Sequence, residues 1–295
     1  MILRKIFFSL LMVSLYAGLS EAATKDVIFQ DNLTIYTSAN ENSPLMIAIK
    51  ALQRDIKKVS SLETNLKPLS EIGESGIVIL NNEEDRSVLG SGVSGWEAHR
   101  VHIKDIAQNQ QVVLEGADLR GAIFAVYTFS EQVLGVPPLW YFSSWTPISK
   151  RGLKVPNSTD LNFDSPDVKY RAWFPNDTDL FEPWRRLSGD NYELWLEMAM
   201  RLKLNTIEWF DDERDYARPY SVSRTTKMIN NYGLLNTTHH HSPLNASFAG
   251  WVDYWKKTRH MDPPEFSLAN TDKLMDFWRD NIEGIVKNDI NMLWV

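Results

Sequence analysis

The chain contains no cysteine. Disulfides, thiolate metal sites and thiol nucleophiles are therefore excluded, and stability has to come from a core large enough to hold without staples. Basic charge is not in excess either: 31 Lys and Arg stand against 38 Asp and Glu, for a net charge of -7. Phosphate binding wants a basic face, so this balance argues against a nucleic-acid partner. Beyond the N-terminus no apolar run reaches the roughly 18 to 20 residues that a membrane helix needs. The zinc-peptidase spacing HExxH is missing as well.

What is present is globular. Of the 295 residues, 43% are hydrophobic and 12% aromatic, with eleven Trp, enough apolar mass for one or two sizeable domains. Trp either fills a large core or stacks on sugar rings, and core packing is the default for most of them. The N-terminus reads as a secretory signal. Arg4 and Lys5 precede the apolar run "IFFSLLMVSLYAGL", and Ser20, Glu21 and Ala22 offer a small-x-small cleavage site. The mature protein is then expected to start near Ala23, to be secreted, and to have no membrane association after cleavage. Five N-x-S/T sequons, at Asn32, Asn157, Asn176, Asn236 and Asn245, fit an exported glycoprotein.

Patterning predicts two units of an α/β fold. In residues 23–150, Ser43 and Pro44 open a helix whose apolar residues Leu45, Ile49, Leu52 and Ile56 recur at helical spacing. "GIVIL" reads as a buried strand, and "HRVHIKD" and "QQVVLEG" as two more strands. "DLRGAIFAVYTFSEQVLG" reads as a helix from near Asp118 to just before Gly135. Residues 143–165 carry Ser, Pro, Lys and Asn without clear period, and 151–167 read as a linker. From 168 onward strand and helix alternate. "VKYRAWF", "TIEWF", "LLNTT" and "INMLWV" are the expected strands, with helices between them and a C-cap at Gly233. Repeated βα units imply a parallel sheet or a (β/α)8 barrel. Residues 168–295 supply about half of such a barrel, so the chain is expected to be an N-terminal fragment that folds poorly alone; a self-contained four-stranded sheet is the alternative.

In a barrel the active site lies at the C-terminal ends of the strands. Polar clusters occupy three successive strand ends: Asn176, Asp177 and Asp179; then Asp211, Asp212, Glu213 and Asp215, preceded by Glu208 and Trp209; then His239, His240 and His241. Glycoside hydrolysis needs two carboxyl groups across the scissile bond, which Asp177 and an acid of the second cluster could supply. His239 and His241, sharing one face of an extended strand, could instead bind a metal. Local turn chemistry is the third account of all three clusters.

At these residues the chain resembles glycoside hydrolase family 115, the xylan α-glucuronidases. "GADLRGAIFAVYTFSEQVLGVPPLWYF", "YRAWFPNDTD", "RLKLNTIEW" and "YGLLNTTHHHSPL" match that family's motifs in order and spacing, over roughly 76 to 295. The resemblance implies an N-terminal α/β domain, then a (β/α)8 catalytic barrel. It implies release of (4-O-methyl-)glucuronic acid from glucuronoxylan, a plant cell-wall polysaccharide, with inversion and without a cofactor or metal. By motif, Asp177 becomes a catalytic residue. Asn176, Trp209, His240 and His241 become substrate-binding residues, the imidazoles facing the anionic sugar. Two positions depart from the pattern: Thr178 and Ser242 stand where the family has Glu. A non-catalytic carbohydrate-binding relative is therefore the second reading, and a metal hydrolase using the His tract the third.

Overall fold

The computed structural model describes residues 25–89, 92–174, 192–208, 214–218, 220–238 and 242–294. The N-terminal unit is built on a six-stranded sheet in the order β3-β2-β4-β6-β5-β8. Its strands are β2 (Asn32–Tyr36), β3 (Glu63–Lys67), β4 (Ile77–Asn81), β5 (His99–Ile106), β6 (Asn109–Gly116) and β8 (Asp160–Phe163). Strands β3, β2, β4 and β6 run parallel. Strands β5 and β8 are antiparallel additions. A separate pair joins β1 (Val27–Phe29) to β7 (Leu153–Val155).

Two helices cover one face. α1 (Pro44–Ser60) starts where the Ser43 hydroxyl accepts the Met46 N–H. α3 (Leu119–Gln132) starts where the Asp118 carboxylate accepts the Gly121 N–H, 2.7 Å away. Each cap satisfies a donor that the first helical turn leaves open. A shorter helix, α2 (Asn82–Leu89), follows β4. The alternation of strand side chains divides the sheet. Ile77, Ile79, Val112 and Leu114 meet the helices, whereas Val78, Leu80 and Val113 form a thin layer on the far side with Tyr36. Gly116 is obligatory: a Cβ there would lie 1.8 Å from the Ala122 nitrogen, so β6 and α3 approach through a gap only glycine leaves.

The stretch read as a linker, 151–167, instead contributes β7 and β8 to these sheets. Its residues pair with partners more than fifty positions away, so nothing local in the sequence marks them as strand.

The second unit is a parallel sheet ordered β11-β10-β9. β9 is Ala172–Trp173, β10 is Thr206–Glu208 and β11 is Leu235–Thr237. α4 (Tyr192–Arg201) connects the first two strands and α5 (Arg224–Asn231) the next. Gly233, with φ +74, turns the chain from α5 into β11, as its position predicts. After α6 (Thr271–Lys287) the chain returns beside β11, where Met292 bridges Asn236 in parallel and the Leu293 N–H donates to the Asn236 carbonyl at 2.7 Å. Four parallel segments thus follow one another in chain order. The strands are shorter than the apolar runs suggested. Val168 and Tyr170 are exposed, and Arg171 spends its N–H on the Asn205 side chain rather than on a ladder.

The units share one apolar core, in which Trp195 and Leu196 of α4 meet residues of α1 and α3. Each fully buried Leu or Ile there contributes roughly 1.5–3 kcal/mol. Two buried ionic clusters cross the same boundary. In the first, Arg201 of α4 reaches Asp55 of α1 at 2.7 Å and Glu197 at 2.9 Å, and Arg54 also pairs with Glu197. Ser130 of α3 donates to Asp55. In the second, Glu97, wholly buried, accepts from Arg120, Arg171 and Asn205.

Two predictions follow from this burial. Arg201→Met leaves Asp55 and Glu197 as buried carboxylates short of a counter-charge. It should lower unfolding free energy in urea by about 3–5 kcal/mol, the usual cost of halving a buried pair. His99, 5% exposed and stacked on Phe163, bonds the Glu97 carbonyl through Nδ1–H and Thr128 through Nε2. Burial pushes its pKa down from 6.5 to about 4. The folded state therefore disfavours the proton. The His99 contribution is present above the unfolded value of 6.5 and is lost as pH falls through 6.5 towards 4. Urea titrations between about pH 7 and pH 4 should show a loss on the order of 3 kcal/mol that His99→Gln removes from the profile.

Candidate functional site

The parallel register brings the strand ends level. Ala172, Thr206 and Leu235 are aligned, as are Trp173, Ile207 and Asn236, and Glu208 lies beside Thr237. The chain therefore leaves the sheet by one edge three times in succession. The five residues expected to form the site follow these exits. Asn176 and Asp177 come three and four positions after Trp173, Trp209 comes directly after Glu208, and His240 and His241 come shortly after Thr237. All five lie outside the described residues, as do Thr178, Asp179, His239 and the acids at 211 to 213.

The described residues around this edge fall into three groups. Some serve packing. Trp173 meets Phe142 and Trp195 edge to face, so this strand-end indole belongs to the core. Some serve turns. Asp215, grouped with the acidic cluster by sequence, accepts the Ala217 N–H and sits 3.2 Å from Arg218, at an exposed turn. Others remain candidates. Glu208 ends β10 half-buried at the edge, at the head of the acidic cluster where its place in the sequence puts it. Arg214, 9% exposed, holds its guanidinium 5.1 Å from the Tyr216 ring centre. Ser242, 1% exposed, has no hydrogen-bond partner for its hydroxyl among the described residues.

An aromatic cluster ties together the segments that follow β10 and β11. Trp251, Tyr254 and Trp255 pack on Phe277 and Leu274 of α6 and on Tyr216, which follows β10. The Thr258 hydroxyl donates to the Tyr216 carbonyl at 2.5 Å, and the Trp251 indole donates to the Pro264 carbonyl at 2.7 Å. A Cβ at Gly250 would overlap the Tyr216 hydroxyl. The excursion after β11 is thereby bound to the segment after β10, and both are bound to α6. Among the described residues, no group of three or more His, Asp or Glu side chains could hold a metal ion. None of the described helices is long and apolar enough to cross a membrane.

Residues 163–295 match the model of Glycosyl hydrolase family 115. The resemblance drawn from the motifs holds for this segment. Among solved structures, the chain is similar to a family 115 4-O-methyl-alpha-glucuronidase described as specific for decorated arabinogalactans. The TM-score is 0.72 at 19% identity, over 91% of this chain and 36% of that one. At that identity the likeness is one of fold, and it covers the N-terminal unit as well. The chain spans about a third of that enzyme's length. An enzyme of family 138 targeting pectin rhamnogalacturonan II is more distant, with a TM-score of 0.45 at 14% identity, over 89% of this chain and 38% of that one. No curated protein matches the chain in sequence.

Burial at the edge also bears on the sequons. Asn236 is 5% exposed in the middle of β11, and its side-chain amide donates to the Thr226 carbonyl at 3.3 Å. A glycan cannot be attached there without dismantling the sheet. Peptide mapping of protein expressed in a glycosylating host should find Asn236 unmodified, whereas Asn32, exposed at the start of β2, is open to modification.

Proposed function

We propose that the protein is a secreted glycoside hydrolase that releases (4-O-methyl-)glucuronic acid from glucuronoxylan with inversion. The observation that carries this reading is the delivery of three polar loops to one edge of a parallel sheet, within the segment matching family 115. Segments that neighbour one another in chain order, without reversal, suit the opening half of a (β/α)8 barrel, whose catalytic face is the C-terminal edge. The N-terminal signal pattern supports export.

In this reading Asp177 is one of two carboxyl groups placed about 6.5–9.5 Å apart, leaving room for the water that attacks the anomeric carbon. Glu208 and the acids after β10 are candidates for its partner. Asn176 hydrogen-bonds sugar hydroxyls, and Trp209 offers its indole face to the ring. His240 and His241 donate charge-assisted hydrogen bonds to the uronate. Arg214 adds a fixed positive charge to the loop after β10. The substrate is a decorated plant polysaccharide, and arabinogalactan side chains are a second source of the same uronide.

The test is incubation of the full-length protein with glucuronoxylan and with decorated arabinogalactan, following released uronic acid by proton NMR. The first-formed product should be the β-anomer. Asp177→Asn should lower kcat by about 10²- to 10⁴-fold, the range for a lost general acid or base. His240→Ala should act mainly on KM. A folded protein that releases nothing from either polymer overturns the reading.

One observation favours a second reading, that of a carbohydrate-binding relative without turnover. Ser242 is buried where family 115 has Glu, and a neutral hydroxyl cannot replace a carboxylate in acid–base chemistry. Binding of aldouronic acids without any release would select it.

A further inference from the structure

A cleft of about 780 Å³ opens in the N-terminal unit, and no residue of the strand edge lines it. It lies between β1, the C-terminal ends of α1 and α3, and the segment from Trp145 to Lys154. All its lining residues fall between 28 and 154, outside the segment that matches family 115. Its volume is that of a small-ligand pocket and exceeds the needs of a single ion.

The rim is preformed. The Lys150 N–H donates to the Val59 carbonyl at 2.9 Å and the Gly152 N–H to the Ser60 carbonyl at 3.0 Å, so the segment caps the last turn of α1. Ser149 and Ser61 share a further hydrogen bond. Trp145 is half-buried and packs against the core. An indole fixed in this way offers a flat apolar surface of the kind on which sugar rings stack.

The charge of the cleft is one-sided. Lys150, Arg151 and Lys154 line it, and none of its lining residues is acidic, on a chain with a net charge of -7. Lys154 pairs with Asp26 at 2.7 Å, and Arg151 lies 3.7 Å from Asp31. Both pairs are largely exposed and therefore hold their partners weakly. Among the described residues Lys150, unlike Arg151 and Lys154, forms no ion pair. The two helices meanwhile bring their C-terminal ends to the cleft, and with them partial negative charge, although the Val59 and Ser60 carbonyls are already taken by the rim. That arrangement disfavours a multiply charged phosphate. It suits a ligand carrying a single carboxylate on an otherwise neutral body.

We propose that this cleft is a second carbohydrate-binding site, taking a uronate-bearing oligosaccharide segment. The negative charge of the ligand rests on Lys150, Arg151 and Lys154, whereas its saccharide nature rests on the function proposed above. The site would hold the polymer on the protein and raise its local concentration at the strand edge.

The test is affinity electrophoresis of the full-length protein in gels containing glucuronoxylan or an unsubstituted neutral xylan, with calorimetric titration of inorganic phosphate alongside. Trp145→Ala and Lys150→Glu should each weaken retardation by glucuronoxylan about tenfold, the worth of one charge-assisted contact. Lys150→Glu should leave retardation by the neutral polymer unchanged. Turnover of a short aldouronic acid should be unaffected by either change. Should Trp145→Ala fail to fold, Lys150→Glu decides alone, because its side chain is exposed and its backbone bond to Val59 is retained. Unchanged retardation in Lys150→Glu overturns the proposal, as does phosphate binding that Lys150→Glu abolishes while glucuronoxylan retardation persists. Loss of retardation in a protein that releases no uronic acid would sink the hydrolase reading and leave the cleft standing. Normal release with insensitive retardation would do the reverse.

Discussion

Glu97 is the constraint on which the arrangement of the two units depends. Its carboxylate is wholly withdrawn from water and is surrounded by donors from three places: Arg120 at the start of α3, Arg171 just before β9, and Asn205 just before β10. Its backbone N–H is held by Asp118, the residue that also caps α3. A buried carboxylate is tolerated only when such partners are complete. The cluster therefore fixes the beginnings of two parallel strands against the first unit. Because those strands are parallel, their ends must emerge together on the opposite side, where the polar loops begin. The Arg201 cluster repeats the device on the helical side, joining α4 to α1 and α3.

Charge placed this way contributes register rather than raw stability. An apolar replacement of similar volume could hold the units together equally well, but it would accept sliding. The forked guanidinium of Arg171, bonded to Glu97 and to the Lys203 and Val168 carbonyls, accepts no such slip. The candidate site thus rests on geometry set at the far end of its strands.

Much of this could be read from the residues, and the remainder could not, for identifiable reasons. Ser43, Asp118 and Gly233 announce helix ends because capping is local chemistry, and all three appear where expected. Strands β1, β7 and β8 escaped because their pairing is remote: Val27 finds Val155, and Arg100 finds Asn162. Glu97 and Arg201 also escaped, since a lone charged residue reads as solvated until its partners are seen. At the site, the order of the polar clusters along the chain was readable, as was the family 115 pattern. Asp215 was not distinguishable from its neighbours, because a turn-forming Asp and a catalytic Asp look alike in sequence.

The return of the chain through β7 and β8 has a consequence for any division of the molecule. A cut at residue 150 would fall within the first unit, not beside it. It would strip β1 of its only paired strand among the described residues, remove the edge strand from β5, and open the cleft rim at Gly152. A cut in 164–167 would spare both sheets, yet it would still separate Glu97 from Arg171. The two units are contiguous in covalent structure over a few residues, but they are interdependent over their whole contact, so neither is a module that could be exchanged without the other.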